Sequence, residues 1–422
     1  MIRLLTVLAA LTLCLPCAAQ SKPPTTSQIK KTLAQYFELE ETANDKRLAI
    51  CLKLQSIDIS KASIYKKWLK IISKSSTKAT TLLPKKKGEY FFWENSQRGF
   101  YIIGGETSKP KGLLIGMHGG GVGSGDAHGS AGAMDSAAKE LGWLAIFPEV
   151  IEKTERGWTD SGTEEWVMQL IDMAIVTYDI DPNHVYLSGH SMGGYGSWTL
   201  GAHHADRVAA LAPSAGAPTP VYDYEGNLIE IQSGVVANLR NVPMVVFQST
   251  DDPRVPPDAN QAAVKEVEKF KERFGGYDDF TYWEVNDRQH KYPVGGMLAL
   301  LDKIKGFVRD VHQTHIVWQP TLDWKTTFYW LHWPAPVENV IIDAEFDKES
   351  NTFVISSDAA LDGLEILLSK EMVDFSREVT VEFNGAQVSR AMPLANLGDL
   401  LRFYNYSDRQ RGYCATISVI AP

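Results

Sequence analysis

Cysteine is scarce in this chain, and long apolar runs are scarcer still. Four cysteines occur in 422 residues, and two of them, Cys14 and Cys17, fall near the N-terminus. Cys51 and Cys414 remain, one toward each end, so neither a disulfide framework nor a cysteine-built zinc site can organise the fold. In an oxidising compartment the pair would be able to tie the ends together, and two buried free thiols are the equal alternative. No His-Glu-x-x-His sequence occurs, so no metal and no other cofactor is implied. An excess of positive charge is also missing. The chain has 42 Lys and Arg against 51 Asp and Glu, a formal charge of −9, which attracts neither nucleic acid nor an anionic membrane. The 44% hydrophobic and 22% charged content is that of a globular protein long enough for a large core with appendages.

One apolar stretch stands out. Arg3 precedes an apolar run over 4–16, then Cys17-Ala18-Ala19, then a polar segment. A charged start, a short apolar centre and a small-residue cleavage site predict a signal peptide over 1–19 and hence a secreted or periplasmic protein. The run is too short for a membrane anchor, which needs about 20 apolar residues. Small residues do not precede Cys14 or Cys17 in the manner of a lipoprotein signal.

Periodicity divides the remainder into three. Residues 20–88 read as helices, with apolar positions at Ile29, Leu33, Tyr36 and Phe37 and again at Ile64, Trp68, Ile71 and Ile72. Their lysines between Lys61 and Lys87 read as a solvated face. Residues 89–311 alternate apolar runs, predicted as strands over 98–103, 112–118, 143–148, 184–188, 208–212, 243–249 and 280–285, with helices over 131–141, 164–178, 192–203, 257–274 and 297–311. That alternation predicts an α/β fold whose mostly parallel sheet has helices on both faces. Residues 312–422 turn to short alternating strands and an Asn384-Gly385 hairpin signal, which predict a small β-sandwich accessory domain. Trp318, Trp324, Trp330 and Trp333 open that segment. They suit core and interdomain packing, or a platform that contacts carbohydrate or another polymer.

The chemistry-bearing residues lie in the middle segment. Gly189-His190-Ser191-Met192-Gly193-Gly194 follows a predicted strand and opens a predicted helix, the setting of a nucleophile elbow that thrusts a serine out at the end of the sheet. A serine hydroxyl needs a base and an orienting acid, which in this arrangement follow in the order acid then histidine. The strand ending at Ser249 runs into Asp251-Asp252-Pro253, and the strand ending at Val285 runs into a loop holding His290. Asp252 and His290 are therefore the candidate acid and base for Ser191, with Asp251 as the competing acid. His118-Gly119-Gly120-Gly121 follows another strand, and the backbone amides of Met192 and of Gly120 or Gly121 are the candidate oxyanion donors. No Gly-Lys-Ser/Thr ends the glycine run, which argues against a phosphate loop. Trp158, Tyr195, Trp198, Tyr222 and Tyr224 are close to these motifs in sequence and suggest an aromatic-lined pocket.

From Tyr90 to Val311 these residues resemble the α/β-hydrolase superfamily, specifically its esterase, dienelactone-hydrolase and polyhydroxybutyrate-depolymerase-like groups with their prolyl-oligopeptidase-type relatives. The resemblance rests on the run from Asp181 to Tyr186 leading into the elbow, on Asp252-Pro253-Arg254-Val255-Pro256, and on the His290 to Pro293 loop. It implies a Ser191–His290–Asp252 triad and a serine carboxylic ester hydrolase acting on a small or polymer-borne ester. The glycine run reaching Gly129 departs from the family's usual oxyanion loop. A serine peptidase and a catalytically idle binding protein on the same fold are the alternatives.

Overall fold

The structure, a computed structural model, describes residues 24–40 and 42–419. The predicted signal peptide lies outside the described residues, and among these no helix is long and apolar enough to cross a membrane.

Eight strands form the central sheet, in the spatial order Gly88–Trp93, Arg98–Gly105, Leu144–Pro148, Leu113–Met117, Val185–His190, Ala210–Ser214, Met244–Ser249 and Phe280–Val285. The first three pair antiparallel and the remainder parallel. Alternate residues of each central strand serve opposite cores, as the two-residue period of a strand requires. Leu113, Ile115, Met117, Leu144, Ile146, Val185 and Leu187 face one core, shared with Trp166, Leu170 and Ile171 of helix Thr163–Tyr178. Leu114, Ala145, Phe147, Tyr186 and Ala212 face the other, with Met134 and Ala138 of helix Ala127–Leu141 and Met297, Leu300 and Leu301 of helix Gly296–Leu301.

Two helices differ from expectation. Helix Ala127–Leu141 starts four residues earlier than its apolar pattern suggests, because the Asp126 side chain accepts from Gly129 N–H at 2.9 Å and caps a turn that reads as a glycine loop. The helix expected over 297–311 stops at Leu301. Beyond it the chain tightens into i→i+3 turns, and Arg309 is drawn away to bond Asp206 and Asp408.

Past residue 312 a five-stranded sheet and a four-stranded sheet follow. The Asn384-Gly385 hairpin is present, both residues at positive φ (49° and 80°). Trp318, Trp330 and Trp333 are buried at 2%, 0% and 1% exposure, whereas Trp324 is 41% exposed. Three of the four tryptophans are therefore core residues, the packing alternative for this row: apolar burial outweighs display. Cys51 and Cys414 are free thiols, and burial pushes both up to about 12. Both belong to one cluster in which the N-terminal helices Thr26–Glu38, Asn44–Leu54 and Ala62–Ala79 pack on Ala395, Leu397, Leu400 and Leu401. The two ends of the chain thus share a core, and Ile59 N–H closes it by donating to Ala395 O at 2.9 Å.

A buried ionic network joins this assembly to the central sheet. Asp206, just past helix Met192–His203, takes Lys325 Nζ at 2.9 Å and Arg411 NH2 at 2.6 Å. Asp408 takes Arg309 NH2 at 2.6 Å and also meets Arg411. Burial works to raise the Asp206 carboxyl, but Lys325 and Arg411 outweigh it and hold the group well below the usual carboxylate range. Removing one partner leaves buried charges uncompensated, so Asp206→Ala is expected to cost about 3–5 kcal/mol in urea unfolding.

Nearby, buried Glu164 lies 2.9 Å from both His203 Nδ1 and His204 Nε2. Burial opposes its ionisation, yet His203 and His204 bring it down from 4.5 to about 2. A carboxyl depressed in the folded state contributes stability that is present above its unfolded pKa and lost as pH falls through the folded one. Glu164→Gln is therefore expected to cost about 3 kcal/mol at pH 7. Its unfolding difference from wild type should shrink as pH falls from 4.5 toward about 2.

Candidate active site

Ser191 stands between strand Val185–His190 and helix Met192–His203 at φ 60°, ψ −124°, a conformation that costs of order 1–3 kcal/mol for a non-glycine residue. Its surroundings hold it there. Ser191 N–H donates to Ser214 O at 2.9 Å on the neighbouring strand, and Ser191 O accepts from Gly194 and Tyr195 N–H at 2.7 and 3.1 Å. The turn closes only because Gly193 lacks a side chain: a Cβ there would lie 2.2 Å from Met117 O. The same turn leaves the Met192 amide at the first position of the helix, where no intrahelical carbonyl is in reach.

The acid loop and the histidine loop extend the two outermost parallel strands. Asp252 is buried. Its Oδ1 accepts from Arg254 and Val255 N–H at 2.8 and 3.0 Å, which leaves Oδ2 to meet His290 Nδ1 at 2.7 Å. Gln289, at φ 50°, kinks the chain immediately before His290. Asp251, the competing acid, is exposed and bonds elsewhere: Ser249 Oγ donates to it at 2.5 Å and Gln289 N–H at 2.8 Å. It clasps the two loops together, while Asp252 receives the imidazole. With Nδ1–H donated to Asp252, His290 Nε2 is the ring nitrogen left to accept a proton.

His190 is a site residue that the sequence did not single out beyond its place in the elbow. Its ring lies 4.7 Å from that of His290 and 4.6 Å from Tyr292, and Nδ1 is 2.9 Å from Ser214 Oγ. Burial and the neighbouring His290 bring it down from 6.5 to about 4, so it is neutral at pH 7 and does not oppose positive charge on His290. Nothing in the motif foretells this, since the ring's packing partners come from a loop about 100 residues away.

The glycine loop meets Ser191 from the other side. His118 is buried and its pKa is lowered, chiefly by burial. Val150 N–H donates to its Nε2 at 3.2 Å and its Nδ1 lies 2.9 Å from Gly119 O, which assigns the proton to Nδ1. Trp158 Nε1 donates to His118 O at 3.1 Å. So anchored, the loop passes close to Ser191: a Cβ on Gly119 would lie 3.2 Å from Ser191 Cβ. Gly121 forms a two-way backbone bridge with Ser124 (3.5 and 3.1 Å), so its amide is turned into the loop. Gly120, the other candidate for the second oxyanion donor, directly precedes this bridge. A cavity of about 190 Å³ lies beside Gly119 and His190, closed by Met117, Met134, Tyr292 and Met297.

The suggested aromatic lining divides. Trp158 and Trp198 are buried, and Trp198 Nε1 donates to Gly216 O at 3.0 Å. Tyr195 is half-buried. Tyr222 and Tyr224 are exposed on the hairpin of Pro220–Tyr222 and Leu228–Ile231, where Tyr222 OH bonds Asp258 at 3.1 Å. Among the described residues His315, Asp343 and Glu345 also come together with metal-ligand spacing. Arg240 NH2, 2.7 Å from His315 Nδ1, makes that nitrogen an acceptor and leaves Nε2–H to donate to Asp343 at 2.6 Å, so the cluster serves as a hydrogen-bonded bridge.

In chain order the elbow follows the fifth strand of the central sheet, the acid the seventh and the histidine the eighth. That order and placement define an α/β-hydrolase fold. No family model matches the chain. A bifunctional acetylxylan esterase/xylanase from Neocallimastix patriciarum is 36% identical over 104 residues, 22% of this chain and 15% of the relative's length. Similar solved structures include a thermostable esterase (19% identity, 53% of this chain and 63% of that one, TM-score 0.40). Another is the acetyl xylan esterase from Aspergillus awamori (13% identity, 49% and 94%, TM-score 0.37).

Because the turn depends on contact between bare backbones, Gly193→Ala is expected to destabilise the chain by about 2–3 kcal/mol in guanidinium unfolding. A control such as Gly226→Ala tests the reading, since a Cβ at Gly226 meets nothing within 4 Å and only backbone strain at φ 83° remains.

Proposed function

We propose that the chain hydrolyses carboxylic esters through Ser191, His290 and Asp252, with the amides of Met192 and Gly120 holding the oxyanion. The observation that carries this reading is the 2.7 Å contact between His290 Nδ1 and Asp252 Oδ2, with Asp252 already fixed by two backbone amides. The similarity to an acetylxylan esterase/xylanase, on 22% of the chain, supports the same class.

In this mechanism Ser191 Oγ adds to the ester carbonyl carbon as its proton passes to His290 Nε2. The carbonyl electron pair moves to oxygen, which the two amides receive at the start of helix Met192–His203, where the helix dipole favours negative charge. Collapse expels the alcohol, which takes the proton from His290, and an acyl-serine remains. Water then repeats the sequence, losing its proton to His290 and releasing the acid. Asp252 keeps the imidazole in the tautomer that accepts from Ser191 and offsets the charge that forms on it. Neutral His190 adds no opposing charge.

The test is hydrolysis of p-nitrophenyl acetate and butyrate by folded wild-type and variant proteins. Ser191→Ala and His290→Ala are each expected to lower kcat by about 10⁴-fold or more, and Asp252→Asn by about 10⁴-fold. Asp251→Asn is expected to retain most activity. Wild-type activity that survives in Ser191→Ala would remove the serine mechanism.

A further inference from the structure

A second concave surface lies apart from the Ser191 site and shares none of the residues that line the cavity beside it. It is a groove of about 1570 Å³ between the end of helix Thr26–Glu38, the sheet-edge hairpin around Trp93, the outer side of helix Thr163–Tyr178 and the segment 402–405. Single small-molecule sites enclose about 300–1,000 Å³, so its dimensions suit an extended chain better than one compact ligand.

The lining is amphipathic. Trp93 is 39% exposed although its ring packs at 4.8 Å on Phe92, 6.1 Å from Trp166 and against the Gly99 backbone: the indole is braced by its neighbours and still offers surface to solvent. Around it stand hydrogen-bonding groups with little positive charge to offer. Glu38, Glu40 and Glu94 contribute three exposed carboxylates, against Arg47 and Arg402, while a fourth, Asp172, is taken by Arg207 NH2 at 2.6 Å. Arg402 is engaged with Glu365 and His332, both at 3.1 Å, and Arg47 NH2 donates to Leu39 O at 2.7 Å. A polyanion would be repelled here, and an aliphatic chain would strand the carboxylates. A chain of rings with apolar C–H faces and many hydroxyl donors satisfies both walls, its faces on the indole and its hydroxyls on the carboxylates and amides.

We propose that this groove binds a neutral polysaccharide. The proposal stands independently of the reaction at Ser191, and it assigns to the N-terminal helices and the 402–405 segment a role in holding polymer while the sheet presents its own site elsewhere.

The test is affinity electrophoresis of the full chain through gels containing arabinoxylan, galactomannan or polygalacturonate. At least one neutral polymer is expected to retard wild type and Ser191→Ala equally, which separates this proposal from the catalytic reading. Trp93→Ala is expected to weaken retention about three- to tenfold and Trp93→Phe to keep most of it. Neither should change p-nitrophenyl acetate hydrolysis. Glu94→Ala, at an exposed position, is expected to weaken retention about fivefold and serves if Trp93→Ala fails to fold. Retardation by polygalacturonate alone, by none of the three polymers, or to the same extent in the folded Trp93→Ala and Glu94→Ala variants would overturn it.

Discussion

The constraint on which the site depends is a serine kept in an unfavourable backbone conformation. At φ 60° and ψ −124° Ser191 would relax if it were free to. It is not free, because the Ser214 strand carbonyl takes its amide and the first turn of the following helix takes its carbonyl. The turn in turn presses against Met117 O so closely that position 193 has no room for a side chain. Three parallel strands and one helix N-terminus thereby converge on one hydroxyl. The result sets Ser191 at the junction of strand and helix, with the Met192 amide at the first helical position beside it. Strain of this kind persists only where the surroundings overdetermine it, and here the strands that supply those surroundings are buried throughout except at His190.

The same helix that begins after Ser191 ends beside the buried ionic network. Asp206 and Arg207 lie just beyond its last turn, and their partners Lys325, Asp408 and Arg411 come from the β-rich C-terminal part. Tyr329 OH adds a bond to Ala205 O at 3.1 Å. Buried ion pairs give little net stability over a well-packed apolar contact, but they are strict about geometry. Their consequence is orientation: the sandwich and the chain's N-terminal helices, which share the Cys51 and Cys414 core, are fixed relative to the central sheet. The amphipathic groove is bordered by parts of both assemblies, so the docking that the network enforces also shapes that surface.

The candidate site gathers charge-neutral and charged groups in a definite order. Buried His118 and half-buried His190, both lowered in pKa, brace the glycine loop and the His290 ring without adding positive charge. Asp252 is the aspartate that meets His290, and Asp251 remains outside as a clasp between loops. Two adjacent aspartates thus take different tasks because one side chain is folded under its own loop amides and the other turns to solvent.

By itself the sequence determined seven of the eight strands of the central sheet, most of its helices and where Ser191, Asp252 and His290 fall relative to the strands. Apolar runs of strand length leave few alternatives, and Ser191 follows such a run directly while Asp252 and His290 lie on the loops that leave two others, so local pattern was enough to place them on those loops. The hairpin at Asn384-Gly385 was legible for the same reason, because two adjacent residues that tolerate positive φ specify a turn locally. What only the tertiary structure decided were the pairings between distant segments. The edge strand Gly88–Trp93 and the N-terminal helices carry no signal of what they pack on, and the short helix Leu397–Arg402 is set by its partners. Arg309 breaks an expected helix to reach acids about 100 residues away in either direction, and His190 finds its partners across a similar separation. The tryptophans after Trp318 illustrate the limit most directly: composition states their size and polarity, and only the closure of two sheets over Trp318, Trp330 and Trp333 determined that they are core.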